Sequence, residues 1–524
     1  MKKVLIFAVA LMLSVLFALS ACGTSTLDHK NGLSDLGGEV SSNGGFAVEK
    51  GDYVYFVNGI AASSDDNEYG KVETGALVRI KKSDIASPDG KAQTVIPSLF
   101  VAGDKTSGVY IFGDKVYFAS PVTTKNKEGK VENTKLDFVK VNLDGTGRTI
   151  IKTVTDNSTV YRFVEKDSKV YLILKTVNDK SESVIAIYDA DGKEVVVTEK
   201  MDEYLFDDAT ASGTVYYTKK AHNESLDEDE DFNEIHRVSV DGKDEIVFSG
   251  NGMIKTEEGK EVANGIGLTG CTFTLVKDSA EYLYVKVVYV DTSIVNVTRY
   301  YAVKKADLKG DDASKNNALL NKESCVNEGS ASASTVFAAT SLYLNKNCVV
   351  YLDSSNGLVL YDWSKKDTDD FGVSDCRVRL FYDKDMIGYT VKFWDNGYLY
   401  LVDSNNYYYR VNVGALVDLT TGAVKEDAEV KLEKVNYLAN ASTWYLPEVV
   451  SVDGKEYFLS VYTSSPYQNL VYATEIKERT DEEIETIRKS EKDSVQANLD
   501  TCISVISSTL KETIKKYMKD TFKD

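Results

Sequence analysis

The chain has 524 residues, a formal net charge of −20, five prolines and three histidines. A protein with this negative charge is repelled by nucleic-acid phosphates and by anionic membrane surfaces. We therefore expect no nucleic-acid partner. His29, His222 and His236 fall in no G-x-S-x-G, H-E-x-x-H or phosphate-loop pattern, so we expect a protein that is not an enzyme.

Residues 1–21 have the pattern of an export signal. Lys2 and Lys3 precede an apolar run that is short for a membrane-spanning helix. The run ends in Leu19-Ser20-Ala21-Cys22-Gly23, which resembles the lipobox of bacterial lipoproteins. The resemblance implies that residues 1–21 are a lipoprotein signal peptide and that Cys22 carries a diacylglycerol lipid. An ordinary signal peptide with a chance cysteine is the alternative. We therefore expect an extracytoplasmic protein held at the cell membrane by lipid, with no other cofactor.

Residues 22–45 follow as a lipidated tether. The stretch after Cys22 is rich in Gly, Ser, Thr, Asn and Asp, a composition typical of flexible linkers. A flexible chain of this length spans roughly 25–30 Å, at ~5–6 Å × √n. We expect it to hold the folded part clear of the lipid headgroups.

A repeated strand motif organises residues 46–474. Gly51-Asp52-Tyr53-Val54-Tyr55-Phe56 returns as Gly113 to Phe118 and as Ser212 to Tyr217. Looser copies complete a series whose steps range from 45 residues, Tyr171 to Tyr216, to 68 residues, Tyr216 to Tyr284. Repeats of this length indicate a propeller or a solenoid. The central tyrosines are Tyr55, Tyr117, Tyr171, Tyr216, Tyr284, Tyr351, Tyr400 and Tyr457.

Each repeat predicts four short antiparallel strands, the content of one propeller blade. The stretch Tyr53 to Val57 is apolar on both faces, as a strand packed between neighbouring blades must be. We predict an all-β fold, a single β-propeller of eight four-stranded antiparallel blades. Seven blades is the alternative, because the sixth and eighth boundaries are weak. No fourth strand is evident after Leu470 to Ala473, so closure could use a strand from near the N-terminus.

The chain resembles uncharacterised propeller lipoproteins of Gram-positive bacteria in three stretches. These are Asn43-Gly44-Gly45-Phe46, Gly51 to Phe56 and Leu77 to Lys81. Those lipoproteins are similar in turn to the propellers of low-density lipoprotein receptor-related proteins. The resemblance spans residues 43 to 475 and implies a fold, not a site. The Tyr-Trp-Thr-Asp signature of the receptor propellers is absent from this sequence.

Residues 475–524 predict a long amphipathic C-terminal helix. Apolar residues recur at steps of three and four, and Thr480 with Glu483 fits a capping box at its start. The helix could pack on the propeller, or it could form a coiled coil or bind a partner through residues 480–520.

Cysteine and acidic clusters give no metal prediction. Besides Cys22 and Cys502, Cys271, Cys325, Cys348 and Cys376 either form one or two disulfides or remain buried thiols. The run 227–231 has Asp at the first, third and fifth positions of a calcium loop, but Phe232 and Val238 replace its glycine and glutamate. We expect a solvated acidic loop and no metal.

Loop length predicts a ligand face. In an up-and-down blade, the connections between the second and third strands lie opposite the turns between the first and second strands. We expect all the long loops on one face: 58–75, 119–135, 219–233, 251–270, 311–334 and 364–375. Drift in surface insertions is the alternative. The predicted ligand-face residues are Asp65, Asp66, Glu68, Tyr69, Asp229, Asp231, Asp367 and Asp369.

These features favour a ligand-binding or protein-interaction module at the cell envelope, with an envelope protein or glycan as its ligand. One alternative is a propeller enzyme acting on envelope glycans through paired carboxylates of raised pKa. The other is an accessory subunit of an envelope complex that docks through the C-terminal helix.

Overall fold

The computed structural model describes residues 33–57, 71–73, 77–85, 93–96, 100–102, 108–125, 131–155, 160–206, 208–221, 232–251, 253–255, 261–263, 271–290, 296–328, 333–365, 376–426, 428–437, 448–461 and 471–489. The chain divides into two compact units, residues 1–160 with 435–524 and residues 161–434. The fold is mostly β, and the helices of the described residues are few and short.

Eight antiparallel sheets follow one another along the described residues, and we number them as blades 1 to 8. Blade 1 contains β1 (Val40–Ser41), β2 (Ala47–Lys50), β3 (Tyr53–Val57), β5 (Leu77–Lys81) and β6 (Gln93–Ile96). Blade 2 contains β4 (Lys71–Glu73), β7 (Phe100–Ala102), β8 (Tyr110–Phe112), β9 (Lys115–Lys125), β10 (Val131–Asn142) and β11 (Thr149–Val154). Blade 8 contains β34 (Glu448–Val452), β35 (Lys455–Val461) and β36 (Val471–Glu475).

The remaining blades have four strands each. Blade 3 contains β12 (Tyr161–Lys166), β13 (Lys169–Val177), β14 (Ser183–Asp189) and β15 (Glu194–Val197). Blade 4 contains β16 (Tyr204–Leu205), β17 (Thr214–Ala221), β18 (Phe232–Ser239) and β19 (Asp244–Ser249). Blade 5 contains β22 (Thr272–Asp278), β23 (Tyr282–Val290), β24 (Asn296–Lys304) and β25 (Cys325–Glu328). Blade 6 contains β26 (Leu342–Tyr343), β27 (Cys348–Asp353), β28 (Gly357–Asp362) and β29 (Arg377–Phe381). Blade 7 contains β30 (Thr390–Asp395), β31 (Tyr398–Val402), β32 (Tyr407–Asn412) and β33 (Glu433–Tyr437).

Shorter elements join the blades. A two-stranded ribbon, β20 (Met253–Lys255) and β21 (Glu261–Ala263), lies between blades 4 and 5 in the chain. The helical turns are Lys82–Asp84, Asp208–Ser212, Lys305–Asp307, Ala313–Asn317, Ala333–Val336, Trp363–Lys365, Lys384–Met386 and Val413–Leu416.

The propeller blades are confirmed, and the count is eight rather than seven. The strand number varies: within the described residues blade 1 has five strands, blade 2 six and blade 8 three. Of the strands that the structure describes, the first in the chain is β1, and it pairs with β2 in blade 1 rather than with blade 8.

Apolar burial on both faces explains the tyrosine strands. All five residues of β3 are buried. Tyr55 packs with blade 2, whereas Val54 and Phe56 pack with Val450 and Leu459 of blade 8. In the second unit, successive blades share apolar clusters in the same way, from blades 3 and 4 to blades 6 and 7. Such two-sided burial requires a continuous apolar run instead of an alternating one.

Backbone hydrogen bonds brace one end of the blades. We count the four main strands of blade 1 from β2 and those of blade 2 from β8. We call this end the turn end, because the turns between first and second strands lie there; the opposite end is the loop end. In six blades, the residue that ends or follows the third strand donates its N–H to the carbonyl just before the second strand, at 2.8 to 3.0 Å. The pairs are Lys82–Asp52, Leu143–Asp114, Val240–Gly213, Lys305–Glu281, Trp363–Asn347 and Gly414–Gly397.

Residues 33–45, which we call the N-terminal segment, belong to the folded unit. Leu33, Leu36 and Val40 pack against the cluster between blades 1 and 2. The N–H of Gly51 donates to the carbonyl of Glu39 at 2.9 Å, so the segment crosses the turn end of blade 1. These residues lie within the stretch 22–45 for which composition predicts a flexible tether.

Buried polar contacts hold this segment. Arg79, 1% exposed, donates to the carbonyls of Ser34 at 2.7 Å and Asp35 at 3.1 Å. The side chain of Asn43 both donates to and accepts from the backbone of Ile111 in β8, at 2.9 and 2.7 Å. Polar composition is therefore compatible with order here, because partners distant in sequence satisfy the backbone groups.

A helix begins after β36 and is described over residues 481–489. The capping box is confirmed: the N–H of Thr480 donates to Glu483 Oε2 at 2.8 Å, and the N–H of Glu483 donates to Thr480 Oγ1 at 3.2 Å. Ile484 is fully buried, and Arg479 donates to the carbonyl of Val435. The predicted continuation to residue 524 lies outside the described residues. None of the described helices has the length and apolarity needed to cross a bilayer.

Candidate functional site

The predicted functional residues lie outside the described residues. They are Cys22 and the ligand-face residues Asp65, Asp66, Glu68, Tyr69, Asp229, Asp231, Asp367 and Asp369. The strands on either side of their connections are described, and these show from which end of a blade each connection departs.

The strand order corrects the grouping of long loops on one face. Residues 58–76 and 222–231 join second to third strands, β3 to β5 and β17 to β18, and leave from the loop end. Residues 363–376 join β28 to β29, a third strand to a fourth, so Asp367 and Asp369 lie in a connection that leaves from the turn end.

Two other predicted loops contain regular structure. Residues 119–135 fall mostly in the long hairpin of β9 and β10, and 311–334 include the strand β25. Polar residues mislead here because a strand that extends past the blade core has side chains that face solvent, and its sequence then looks like that of a loop.

A cluster of titratable side chains lies in blade 4, whose second and third strands are joined by the acidic connection 222–231. We call Tyr217, Glu234, His236 and Asp244 the histidine cluster; they come from β17, β18 and β19 of blade 4. His236 Nε2 is 3.0 Å from Glu234 Oε2, and His236 Nδ1 is 3.7 Å from Asp244 Oδ1. The imidazole stacks on the Tyr217 ring at 5.0 Å between centroids. Tyr217 faces the apolar cluster that blade 4 shares with blade 3.

Two carboxylates favour the charged form of the imidazole. Burial alone would lower the pKa of His236, but hydrogen bonds to Asp244 and Glu234 outweigh it, so that the pKa lies above its ordinary value. Burial, followed by the charge of Asp244, raises the pKa of Tyr217 strongly. The tyrosine hydroxyl therefore stays protonated and donates to Asp244 at 2.8 Å.

The order of the contacts does not activate a nucleophile. The Ser249 hydroxyl donates to Glu234 Oε1 at 3.3 Å, and the imidazole meets the other oxygen of the same carboxylate. The carboxylate thus lies between hydroxyl and imidazole, whereas a catalytic triad needs the imidazole between them. The arrangement can take up a proton and stabilise it.

The opposite face of blade 4 carries an arginine that recurs in two other blades. Arg237 lies directly across from Tyr216 and pairs with Glu245 at 2.5 Å. At the matching register, Arg79 lies across from Tyr55 in blade 1 and Arg410 across from Tyr400 in blade 7.

The recurrence is structural. Arg79 and Arg410 each stack on a second tyrosine ring, Tyr53 at 4.0 Å and Tyr398 at 4.3 Å. Each cation joins strands of its blade, and Arg79 also holds the N-terminal segment, so the role is one of packing. The signal in the sequence was an arginine in the third strand of three repeats, which tyrosine spacing alone does not reveal.

Where carboxyl pKa values are displaced in the described residues, they are lowered. A hydrogen bond from Lys219 acts on Glu199, and backbone N–H groups act on Asp418 and Glu483. At Asp312 burial acts in the other direction, but hydrogen bonds from Lys315 outweigh it. These carboxylates are held in the charged form, unlike the raised-pKa acid that glycoside hydrolysis needs.

The four described cysteines are buried thiols rather than disulfides, as the second alternative predicts: Cys271, Cys325, Cys348 and Cys376. Burial raises the pKa of Cys348 to about 11. In the described residues, the His, Cys, Asp and Glu side chains form no group able to hold a metal ion.

Neither the protein-family models nor the curated proteins include a match to this chain. Among solved structures, it is similar to the β-propeller domain of the Trilobed protease from Pyrococcus furiosus, with 13% identity, a TM-score of 0.33, and 83% of this chain and 96% of that chain covered. An oligogalacturonate lyase in complex with manganese has 11% identity and a TM-score of 0.27, covering 66% and 92%. An uncharacterised protein from Listeria monocytogenes has 10% identity and a TM-score of 0.29, covering 68% and 90%.

Proposed function

We propose that this protein is a lipid-anchored, extracytoplasmic propeller lipoprotein of the Gram-positive type that binds an envelope protein or glycan. Two long connections at the loop end of a hydrogen-bonded scaffold carry the proposal. Backbone hydrogen bonds brace the turn end in six blades. The loop end of blades 1 and 4 carries the connections 58–76 and 222–231. Long connections on a rigid scaffold are where proteins most often place binding residues.

The strand order divides the candidate ligand residues into separate surfaces. Asp65, Asp66, Glu68 and Tyr69 belong to the loop end of blade 1, and Asp229 and Asp231 to the loop end of blade 4. Each connection is a contact surface in its own right. Asp367 and Asp369 leave from the other end of blade 6, so we assign them no part in binding at the loop end.

The rival hypotheses receive less support. A propeller enzyme acting on glycans needs a carboxyl of raised pKa beside a second carboxylate, and the displaced carboxyl pKa values of the described residues are low. An accessory subunit docking through an apolar stripe of 480–520 could not use Ile484, which is already buried.

A capture experiment tests the binding proposal. Residues 23–524 serve as bait in an envelope extract, beside variants with 60–68 or 223–230 replaced by a short Gly-Ser turn and a variant ending at Lys489. We expect capture to fall in one of the two loop variants, whereas the variant that ends at Lys489 binds normally. Shortening 366–374, at the turn end, is the matched control and should leave capture unchanged. Binding that survives both loop-end changes would refute the assignment.

Anchoring has its own test. Cys22→Ala should move the protein from the membrane fraction to the soluble fraction and abolish incorporation of labelled fatty acid. A Cys22→Ala protein that remains with the membrane would contradict the lipoprotein proposal.

A further inference from the structure

Tyr382 is the one exposed aromatic side chain among the described residues. It is 44% exposed, whereas the other described tyrosines, phenylalanines and tryptophans are buried or partly buried. It lies directly after β29 of blade 6, in the connection 382–389 that leads to β30 of blade 7. This connection lies at the loop end, because Leu358, which follows the loop-end turn 354–356, is paired with Phe381. The ring therefore lies at the end of the blades to which the proposed function assigns the ligand.

The connection 382–389 is anchored, so the exposure of Tyr382 does not come from a loosely held segment. The side chain of Met386 is buried in the apolar cluster between blades 6 and 7. Asp383 Oδ1 accepts from the N–H of Asp385 at 2.9 Å, and the N–H of Met386 donates to the carbonyl of Asp383 at 3.1 Å. A ring on a segment held in this way loses little conformational freedom when a ligand packs on it.

A series of polar side chains lies beside the ring. Arg379 Cζ lies over the Tyr382 ring, 5.3 Å from its centroid. Arg379 Nη2 donates to Asn356 Oδ1 at 2.8 Å, and Asn356 Nδ2 donates to Asp353 Oδ1 at 3.0 Å. A Cβ added to Gly357 would lie 3.3 Å from Tyr382 Cδ2, so the missing side chain lets the tyrosine lie against the turn. Ring and guanidinium are therefore held in a fixed relation to each other.

The two groups together offer an aromatic surface and several hydrogen-bond donors. Among the described residues, Asn356 accepts from one N–H of Arg379, and no hydrogen bond uses the others. The faces of an aromatic ring carry negative charge, which attracts weakly positive C–H groups. A ligand that fits has C–H groups on one side and oxygen acceptors at its edge, within the width of one ring. A sugar ring has this combination.

The exposed apolar area fits a sugar better than a protein. In the connection 382–389, the exposed large apolar side chains are Tyr382 and Ile387, which is 53% exposed. A stable protein interface takes about 800 Å² and roughly 20–30 residues on each side, with an apolar core. One ring with one aliphatic neighbour does not supply such a core, whereas a sugar residue is about as wide as a tyrosine ring.

The charges near the ring favour a neutral ligand. Asp353, Asp383 and Asp385 are acidic, and Arg379 and Lys384 are basic. Three acids and two bases nearly balance, so the surface attracts neither a polyanion nor a strongly basic chain.

We propose that Tyr382 and Arg379 form a saccharide-binding site at the loop end of blade 6. A neutral sugar ring stacks on the tyrosine, and its hydroxyl oxygens accept from the guanidinium. The site deepens the proposed function, on which it rests, by naming the glycan as the ligand class. It adds a binding surface to the connections of blades 1 and 4.

The test measures binding of residues 23–524 to cell walls of the producing cell that have been digested with protease and extracted with detergent. Tyr382→Ala should weaken this binding about tenfold, because the whole stacking surface is lost. Tyr382→Phe keeps the ring and should stay within about threefold of the wild type. Ile387→Ser, an exposed position in the same connection, is the matched control and should bind normally. Added salt should not weaken the binding, because the ligand is neutral.

The outcomes separate the site from the proposed function. Wall binding that Tyr382→Ala leaves unchanged would overturn the site, as would equal losses in Tyr382→Ala and Ile387→Ser. A wild type that ignores the digested walls but captures a protein from the envelope extract would overturn the saccharide and leave the binding function in place. A wild type that binds neither would refute the site together with the proposed function.

Discussion

Arg79 is expected to hold the N-terminal segment on blade 1, and Arg79→Met tests this. The guanidinium donates to the carbonyls of Ser34 and Asp35 and to Gln93 Oε1, and it stacks on Tyr53. Methionine keeps much of the apolar stem but removes every donor. The change therefore removes the two bonds that cross from blade 1 to the segment.

The magnitude follows from those two bonds. A hydrogen bond to a charged group contributes about 1.5 kcal/mol at the low end of its range, so the docking free energy of the segment falls by about 3 kcal/mol. At about 1.4 kcal/mol per factor of ten, the open population of the segment rises roughly a hundredfold.

The N–H of Gly51 reports this opening, because it donates to Glu39 of the segment. Hydrogen exchange should show its protection falling by about two orders of magnitude in Arg79→Met. Arg410→Met is the matched control: that arginine also stacks on a tyrosine and pairs across strands, but it lies in the second unit. Gly51 exchange that is unchanged in Arg79→Met, in a protein that is otherwise folded, would refute this account.

Three further predictions concern other contacts. The pKa of His236 is raised in the folded state, so its contribution to stability is fully present below the unfolded pKa near 6.5 and is lost as the pH rises through the folded pKa. The urea midpoint of the second unit should therefore fall with rising pH more in the wild type than in His236→Gln. Parallel pH curves for the two proteins would contradict this. Thr480→Ala removes the hydroxyl that accepts from the N–H of Glu483 and should destabilise the helix start by about 1 kcal/mol. We expect faster proteolysis after residue 476. Resistance equal to that of the wild type would show that the cap contributes nothing. Gly213→Ala should lower the thermal midpoint more than Gly113→Ala. Both glycines have positive φ, but only a Cβ at position 213 would contact a neighbour, 2.7 Å from a methyl of Val240. Similar losses in both variants would leave backbone strain as the whole cause.

The blades could be predicted because their signal is local and repeated. A strand buried on both faces must be apolar throughout, and Tyr53 to Val57 shows this within five residues. The capping box was equally accessible, since Thr480 and Glu483 are three residues apart. The N-terminal segment was not, because its order depends on Arg79 and Ile111, 45 and 68 residues away. No composition window contains both partners of such a contact.

The candidate site was less predictable for the same reason. The histidine cluster is assembled from three strands, and Tyr217 and Asp244 are 27 residues apart. His236 taken alone is only a strand residue. The side of each long loop depends on which strands it joins, and β29 is too weakly apolar to be recognised as a fourth strand.

The bracing of the turn end has a consequence for divergence among relatives. The six donors, Lys82, Leu143, Val240, Lys305, Trp363 and Gly414, are of five different residue types. Since the bonds join main-chain atoms, almost any side chain can occupy these positions without loss of the brace. Mutations can therefore accumulate there while the blade geometry persists. Proteins built from such blades can keep the same architecture long after their sequences have ceased to be recognisably alike.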